Sequence, residues 1–369
     1  MKIIEVCHRT YPTFIGGIEK AIWNISQHLA GRFEIEIYTT NPRRKRPFRF
    51  QKKNVRITEF PSMAPGEILY FSPSLYSALR NVDADIIHAH GCQQFTSFAA
   101  ALAKRKNAIP LLVTPHFGFS KVPRYVFMVY NLTANKLIFN RADKIVTISP
   151  NEIHTIRKIG NFDEKILYIP NGVDVESINL VLHKYRRLIN PKTILYVGRL
   201  EEKKGLRFLV KAFAQISGDV TLKIIGDGPF RDELAELVNN LKVKDKVRIL
   251  GRVSESELNQ LYATAHVFVL LSSYESHSMA LTEAMAYGLV PVVTNVGGNR
   301  NIVSNHENGF LVSYPASINE VSNVLCKLIR DQNLIDLISE KARKTVKERF
   351  NIELTTKLLG DVYESFARK

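Results

Sequence analysis

The stretch HVFVLLSSYESHSMALTEAMAYG, residues 266–288, is the part of this sequence that determines the predicted fold. Its first six residues form an apolar run that is typical of a buried strand. A helix follows, beginning at Ser276 or Ser278 and running to the end of the stretch. At a rise of about 1.5 Å per residue, Glu283 lies two turns beyond Glu275, which stands at the start of the helix. A strand that leads into a helix in this way predicts one unit of an α/β sheet.

The start of this helix is a candidate anion site. Its first backbone N–H groups have no acceptor within the helix and favour a negatively charged ligand. With Glu275 and Glu283 flanking the helix start, a ligand with hydroxyl groups on both sides of a phosphate fits, as in a nucleotide-sugar. Two glutamates on one amphipathic helix are also common without any ligand, and the pair alone favours that simpler interpretation.

Strand-like segments alternate with helical patterns along the whole chain, which at 369 residues is long enough for two domains. The apolar strands with helices between them predict α/β domains of the doubly wound type, with parallel sheets covered on both faces. The pattern lapses between residues 171 and 191, which predicts a domain boundary. We expect an N-terminal Rossmann-like domain over 1–175, a C-terminal one over 190–350, and a last helix over 351–369 packing back on the first domain. The predicted strands are 2–8, 33–40, 55–60, 85–91, 111–116, 144–149, 193–200, 220–228, 247–253, 266–273 and 290–296.

The chain is basic, with a net charge of +16 and a pI of about 9.6, which predicts an anionic partner. Nucleic acid, an anionic membrane face and phosphorylated substrates all meet this description. Three scattered cysteines argue against a disulfide framework and favour a reducing compartment. The N-terminus has no secretory pattern, and no apolar run approaches the ~20 residues of a membrane span. We therefore expect a cytoplasmic protein.

The segment RRKRPFRFQKK, residues 43–53, concentrates seven cations without an acid. It contains Pro47 and lacks a clear period, so it is predicted to be a loop. A solvated loop is one interpretation. The other is a contact with an anionic membrane face, into which the two phenylalanines insert. The residues predicted for this contact are Arg43, Arg44, Lys45, Arg46, Phe48, Arg49, Lys52 and Lys53.

Three motifs follow predicted strands in the first half. Gly16-Gly17 opens a helix and lets a ligand approach the backbone, although such a pair is often only a turn. No GxGxxG occurs, which argues against a dinucleotide oxidoreductase. His88 and His90 share one strand face, but without a third ligand cluster a zinc site is disfavoured and a core role is open. His116 ends a strand and is better placed to touch a substrate.

Two motifs follow strands in the second half. Arg199 stands at a strand end and Lys204 at the next helix start, a pair of cations that suits a diphosphate. A solvated basic loop is the alternative. Gly226 and Gly228 form a compact turn that could cover a flat base, or an ordinary turn without a ligand.

Taken in order, the motifs GGIE, HAHG, TPHFG, GRLEEKKG, IGDGP, ESHSMALTEAMAYGLVPVV, GGNRNIV and NGFLV resemble the retaining glycosyltransferase family 4. The resemblance runs from Gly16 to Val312. It implies the GT-B fold, in which two Rossmann-like domains face each other across a cleft.

The resemblance also implies roles for single residues. Glu283 is similar to the glutamate that holds the donor ribose, and Glu275 to the one that meets the transferred sugar. Arg199 and Lys204 correspond to the pair on the donor diphosphate, and His116 to the histidine near the reacting centre. The catalytic set is then His116, Glu275, Arg199 and Lys204, and the nucleotide-sugar set is Gly16, Gly17, Arg199, Lys204, Gly226, His277, Ser278, Met279, Ala280, Leu281 and Glu283.

This sequence departs from the family pattern at two places. His277-Ser278 stands where Phe-Gly is common, so His277 could add a contact to sugar or phosphate. Asn299-Arg300-Asn301 stands where Pro-Glu is common, which affects the donor sugar. In enzymes of the resembled family that modify lipid-linked acceptors, the segment that corresponds to residues 122–144 contacts the membrane. The alternative interpretation is that residues 122–144 form an ordinary core helix.

These observations together predict a retaining, metal-independent glycosyltransferase that uses a UDP-, GDP- or ADP-sugar. No Asp-x-Asp metal motif occurs among them, and we expect no cofactor. The predicted acceptor is a lipid-linked or other glycan, with the enzyme peripheral on the cytoplasmic membrane face. A sugar-nucleotide epimerase or hydrolase of the same fold is the first alternative. A nucleic-acid-binding protein is the second, disfavoured because the cations lie in loops and the sheets are predicted to be buried.

Overall fold

The computed structural model describes residues 1–14, 16–63, 70–104, 108–117, 129–185, 187–188 and 190–367. The chain forms two compact units. Unit 1 combines residues 1–172 with 352–369, and unit 2 comprises residues 173–351.

The described part of unit 1 is built on an eight-stranded sheet in the order β3-β4-β2-β1-β5-β6-β7-β8. Neighbouring strands are parallel, except that β3 is antiparallel to β4. The strands are β1 (Lys2–Cys7), β2 (Glu34–Asn41), β3 (Phe48–Lys52), β4 (Val55–Pro61), β5 (Ile86–His90), β6 (Leu111–Thr114), β7 (Lys144–Thr147) and β8 (Ile166–Tyr168).

Helices cover both faces of this sheet. A turn of π-helix, Asn131–Asn135, leads into the α-helix that starts at Lys136, and the earlier part of the predicted 122–144 segment lies outside the described residues. The α-helices of unit 1 are α1 (Gly17–Leu29), α2 (Pro73–Arg80), α3 (Phe95–Lys104), α4 (Lys136–Arg141), α5 (Pro150–Arg157) and α14 (Ile352–Ala367).

Alternation along β1 distributes its side chains between two cores. Ile4 and Val6 lie in the core that includes α2 and α3, whereas Ile3 and Cys7 lie in the core beneath α1 and α14. Glu5 shares the face of Ile3 and Cys7, and it is 1% exposed. A carboxylate is thereby buried under two helices, where it needs hydrogen-bond donors.

The loop prediction for residues 43–53 was wrong over its second half. Phe48–Lys52 is a strand that pairs with β4 in register from Phe48 opposite Glu59 to Lys52 opposite Val55. Pro47 immediately precedes the strand, so its missing N–H costs no ladder hydrogen bond. Phe48 and Phe50 point to one face, with ring centroids 5.7 Å apart, which explains their alternation in the sequence.

Unit 2 is built on a six-stranded parallel sheet in the order β11-β10-β9-β12-β13-β14. Its strands are β9 (Lys192–Val197), β10 (Val220–Ile225), β11 (Val247–Gly251), β12 (Val267–Leu270), β13 (Val290–Thr294) and β14 (Phe310–Val312). Its α-helices are α6 (Val175–Lys184), α7 (Leu206–Phe213), α8 (Arg231–Asn240), α9 (Glu255–Thr264), α10 (Met279–Ala286), α11 (Asn299–Ile302), α12 (Ile318–Arg330) and α13 (Gln332–Arg349).

The strand order reverses at β9, which lies between β10 and β12. In an open parallel sheet, ligands bind at the carboxyl ends of the strands beside such a reversal. The loops that follow β9, β10, β12 and β13 meet there. The predicted class of two doubly wound α/β domains is confirmed, with β3 as an antiparallel edge strand. Among the described helices, none has the length and apolar character needed to cross a membrane.

Candidate active site

The start of α10 in unit 2 is built as the sequence predicts. Ser278 caps the helix, and its Oγ accepts a hydrogen bond of 3.3 Å from the Leu281 N–H. The loop before it packs on Gly297-Gly298, and the Gly298 N–H donates to the Glu275 carbonyl at 2.6 Å. A Cβ on either glycine would overlap the backbone of this loop, so only glycine fits at both positions.

Glu275 is fixed by two donors. Lys204 Nζ and Ser272 Oγ each lie 2.6 Å from Glu275 Oε1. The Glu275 side chain is 13% exposed and that of Lys204 is 21% exposed, so the pair is only partly screened by water. The Ser273 N–H also donates to the Lys203 carbonyl at 2.8 Å, which joins the loops after β9 and β12. The structure therefore brings together two predicted site residues that are 71 positions apart.

Arg199 has a different carboxylate partner. Its Nε lies 3.0 Å from Glu201 Oε1, and Lys203 Nζ lies 2.9 Å from Glu201 Oε2. Burial would raise the pKa of Glu201, but the hydrogen bond and charge of Lys203, with Arg199 and Lys204, lower it. The predicted diphosphate cations are thus each paired with an acid, and this cluster holds three cations and two carboxylates. The Arg199 side chain is 61% exposed and can turn to a ligand.

Glu283 is held by a residue that the sequence did not indicate. The buried Tyr262 hydroxyl lies 3.3 Å from Glu283 Oε2, and the Tyr262 ring stacks on Tyr287 with centroids 5.2 Å apart. Burial and the Glu283 carboxylate raise the pKa of Tyr262 well above its usual range, so its hydroxyl stays protonated and donates. No local pattern relates a tyrosine on α9 to a glutamate on α10.

The ring of His277 is turned toward its own unit. Its Nε2 lies 3.3 Å from Thr282 Oγ1, and its ring meets Phe350 edge-on at 5.5 Å. Burial lowers the pKa of His277 to about 4, so the imidazole is neutral at physiological pH. Both contacts described for this ring lie within unit 2, and its predicted contact with a ligand stays a prediction.

The Gly226–Gly228 turn is explained by backbone packing. Gly226 has φ of +129°, and a Cβ there would overlap the Gly198 carbonyl. A Cβ on Gly228 would overlap the Leu200 carbonyl in the same way. The ends of β9 and β10 approach so closely that side chains are excluded, and this requirement exists without a ligand.

In unit 1, the paired glycines open α1 as predicted. Gly16 is the residue before the helix, and Gly17 is its first residue. The Glu19 carboxylate folds back to Gly16, where a Cβ would overlap it. An acidic group thus lies in the first turn, where the helix dipole favours negative charge.

A buried polar cluster lies under the carboxyl end of the unit 1 sheet. Glu5, His88 and His90 bring possible metal-ligand atoms within 4.8 Å of one another. The reason given against a zinc site, the lack of a third ligand, was therefore wrong, because β1 supplies Glu5. His116 joins the cluster, with its Nε2 3.1 Å from His90 Nδ1. His116 lies two residues beyond the end of β6 rather than at the last residue of the strand, and its link to His90 and Glu5 was not predicted.

Three cations of the basic segment have partners within unit 1. Arg44 Nε lies 2.6 Å from Glu59, Arg49 Nε lies 3.5 Å from Glu36, and Lys52 lies over the Tyr11 ring. Five cations of the segment are exposed, and so is Phe48 at 44%, whereas Phe50 packs partly against the core. The exposed cations are Arg43, Lys45, Arg46, Arg49 and Lys53.

Comparison with known proteins agrees with this fold. Residues 15–177 match Glycosyltransferase Family 4, and residues 182–345 match Glycosyl transferases group 1. The Methanocaldococcus jannaschii glycosyltransferase MJ1607 is 32% identical over 60% of this chain and 60% of its own length. The Escherichia coli UDP-Gal:alpha-D-GlcNAc-diphosphoundecaprenol alpha-1,3-galactosyltransferase is 26% identical over 79% of this chain and 78% of its own.

A solved structure extends the comparison to the fold. Anabaena Alr3699/HepE in complex with UDP and glucose has a TM-score of 0.80 at 21% identity, covering 99% of this chain and 100% of that one. The fold and the strand-end site define a glycosyltransferase of the GT-B class. Within that class, this chain belongs to glycosyltransferase family 4.

Proposed function

We propose that this chain is a retaining, metal-independent glycosyltransferase. It transfers a sugar from a UDP-, GDP- or ADP-sugar to a lipid-linked glycan on the cytoplasmic face of a membrane. The observation that carries the donor assignment is the Lys204–Glu275 pair at the start of α10, on the sheet edge that also holds Arg199. One carboxylate beside two cations and a helix start suits a ligand with hydroxyls next to a diphosphate.

The chemistry follows from these groups. When the bond from the sugar to the diphosphate breaks, negative charge develops on the leaving phosphate. Lys204, Arg199 and the first-turn N–H groups of α10 stabilise that charge. The acceptor hydroxyl then attacks the anomeric carbon on the face that the phosphate leaves, and its proton passes to the departing phosphate. Retention follows from attack on that face.

Binding of nucleoside diphosphates tests the donor site. We expect Lys204→Ala to weaken UDP, GDP or ADP binding in calorimetry by at least about tenfold, because it removes a charge-assisted contact. Lys203→Ala is the matched control, since Lys203 is the residue immediately before Lys204 and pairs with Glu201 instead. Equal losses in the two variants would show that only the summed charge matters and would refute the assignment of Lys204.

Product analysis tests the reaction class. We expect NMR of the product to show the anomeric configuration of the donor, and EDTA to leave the rate unchanged. A requirement for Mg²⁺ or Mn²⁺ that is restored after EDTA would contradict the metal-independent mechanism. Turnover of the donor alone, at the rate seen with acceptor, would favour the epimerase or hydrolase instead.

The acceptor assignment has two supports. The relative from Escherichia coli is named for a diphosphoundecaprenol-linked acceptor. The exposed Arg43, Lys45 and Arg46 lie beside the exposed Phe48, which is the arrangement of a surface that docks on anionic lipid. We expect the triple change of these three cations to serine to reduce sedimentation with anionic liposomes, without changing nucleotide affinity.

A triple change in unit 2 provides the control for this experiment. Lys242, Lys244 and Arg248 are also exposed, so replacing them by serine removes the same charge from another surface. Docking should weaken as salt rises, because the screening length is only about 8 Å at physiological salt. If both triple variants lose liposome binding equally, or if the wild type ignores anionic liposomes at low salt, the proposed surface is wrong.

A further inference from the structure

Three side chains form a line of hydrogen bonds below the carboxyl end of the unit 1 sheet. His90 Nε2 lies 2.5 Å from Glu5 Oε2, and His90 Nδ1 lies 3.1 Å from His116 Nε2. The rings of His90 and His116 are stacked, with centroids 5.4 Å apart and planes 25° apart. Glu5 is 1% exposed, His90 4% and His116 7%, so water cannot substitute for these bonds.

The protons in this line can be assigned. Burial would raise the pKa of Glu5, but His88 and His90 lower it well below its usual range, so Glu5 is a carboxylate. Burial and the neighbouring His88 lower the pKa of His90, so its ring is neutral. Because a carboxylate only accepts, His90 carries its proton on Nε2, and its Nδ1 accepts from His116. His116 then carries its proton on Nε2 and a lone pair on Nδ1.

The other oxygen of Glu5 is fixed from the C-terminal helix. The Tyr363 hydroxyl donates to Glu5 Oε1 at 2.8 Å, and His88 Nδ1 donates to the same hydroxyl at 2.7 Å. His88 Nε2 lies 2.8 Å from Thr114 Oγ1, which completes its hydrogen bonds. His88 is therefore a satisfied core histidine that helps to orient Glu5, and it does not touch His116 in the line.

The geometry favours hydrogen bonds over a shared metal ion. Two ligands with bonds of about 2.0 Å to a tetrahedral zinc lie roughly 3.2 Å apart. The separation of 2.5 Å between His90 Nε2 and Glu5 Oε2 is shorter than that and is normal for a charge-assisted hydrogen bond.

The backbone of His116 supports a functional role for its ring. His116 has φ of +48°, in the left-handed region that residues other than glycine rarely adopt. Such conformations cost free energy and cluster at sites where a side chain must be aimed. The next N–H, that of Phe117, donates to the buried Glu152 Oε1 at 2.9 Å, which holds this turn.

We propose that Glu5 and His90 are positioning residues that act through His116. They fix its ring in the tautomer with the proton on Nε2, and so set the orientation and tautomer with which His116 acts in the proposed transfer. The negative charge of Glu5, passed along two N–H donors, makes the Nδ1 lone pair more basic. The inference about turnover rests on the proposed glycosyl transfer, whereas the proton assignment does not.

Nitrogen NMR of histidine-labelled protein tests the proton assignment without any activity. We expect His116, assigned with a His116→Gln variant, to show a bare Nδ1 and a protonated Nε2. A proton on His116 Nδ1 in the wild type would overturn the proposal. The proposal would also be overturned if the purified protein contained stoichiometric zinc and if removing that zinc with a chelator changed the His90 signals.

Kinetics test the consequence. We expect Glu5→Gln, which keeps volume but removes the charge, to lower kcat between about tenfold and hundredfold, with KM for the donor changed less than twofold. Glu5→Asp should recover part of the loss because it restores a carboxylate. Tyr363→Phe is the control, because it removes a bond to Glu5 but leaves the bond to His90. It should lower the melting temperature and reduce kcat less than Glu5→Gln does, because the charge of Glu5 is kept.

The outcomes separate the two proposals. If the wild type transfers sugar and Glu5→Gln keeps its kcat, or if Tyr363→Phe loses as much activity as Glu5→Gln, the positioning role is refuted. If the wild type transfers no sugar but the NMR shows the expected tautomer, the proposed reaction fails and the hydrogen-bonded line is upheld. If Glu5→Gln does not fold, the tautomer of His116 in the wild type and the kinetics of Glu5→Asp still test the positioning role.

Discussion

Replacing Glu275 by glutamine should tighten the binding of nucleoside diphosphates while lowering turnover. Glu275 lies 2.6 Å from Lys204 Nζ, so its charge competes with a phosphate for that cation. An ammonium and a phosphate oxygen lie about 2.8 Å apart, which places a phosphate on Lys204 within roughly 5 Å of the carboxylate. Glutamine keeps the shape and an acceptor for Ser272, but it removes this competing charge.

The magnitude follows from Coulomb's law. Two unit charges about 5 Å apart repel by roughly 1 kcal/mol in bulk water and roughly 3 kcal/mol at the effective dielectric of a protein surface. The pair is partly buried, with side chains 13% and 21% exposed, so the value lies between these limits. We therefore expect Kd for UDP, GDP or ADP to fall by about fivefold to a hundredfold.

Isothermal titration calorimetry at two salt concentrations measures this effect. Glu202→Gln is the matched control, because Glu202 lies in the same short 3₁₀ turn as Lys204 but is 76% exposed and pairs with Arg207. It should change Kd less than about threefold. If Glu275→Gln binds all three nucleotides no tighter than the wild type, the diphosphate does not lie beside Lys204. If its kcat stays at the wild-type value, Glu275 does not meet the transferred sugar.

Three further predictions concern unit 2. Tyr262→Phe removes the donor to Glu283 and should weaken nucleotide binding by about threefold to tenfold in calorimetry, whereas Tyr287→Phe should not. The His266 ring accepts a hydrogen bond from the Thr193 N–H, and burial lowers the pKa of His266 to about 4. Because this histidine binds a proton more readily in the unfolded chain, the free energy of unfolding of unit 2 should fall by up to about 3 kcal/mol as pH drops from about 6.5 to 4. Denaturant unfolding of His266→Gln should lack this part of the pH dependence; a slope like that of the wild type would contradict the assignment. Gly226→Ala should lower stability by at least about 3 kcal/mol in the same assay, since neither its φ nor its surroundings accept a Cβ, and a wild-type midpoint would refute this.

Local sequence patterns predicted most of the strands and helices of the fold. Most strands of both sheets were predicted because a buried parallel strand is a continuous apolar run, and the helix at Met279 because Ser278 precedes good helix formers. Strands β3, β8 and β14 were missed. β8 and β14 have only three residues each, and β3 is a polar edge strand whose cations mask its alternation. An edge strand pairs on one side only, so its sequence is less constrained.

The sequence by itself determined which residues stand at strand ends and helix starts, because those positions follow from hydrophobic period and capping within a dozen residues. Only the tertiary structure decided their partners. Lys204 meets Glu275 across 71 positions, and Glu5 meets His90 across 85. Charge, proton position and pKa depend on neighbours within a few ångströms in space, which strand order and register set. For this reason Arg199 and Lys204 were recognised from sequence as site residues, whereas their pairing with acids and the line from Glu5 to His116 were not.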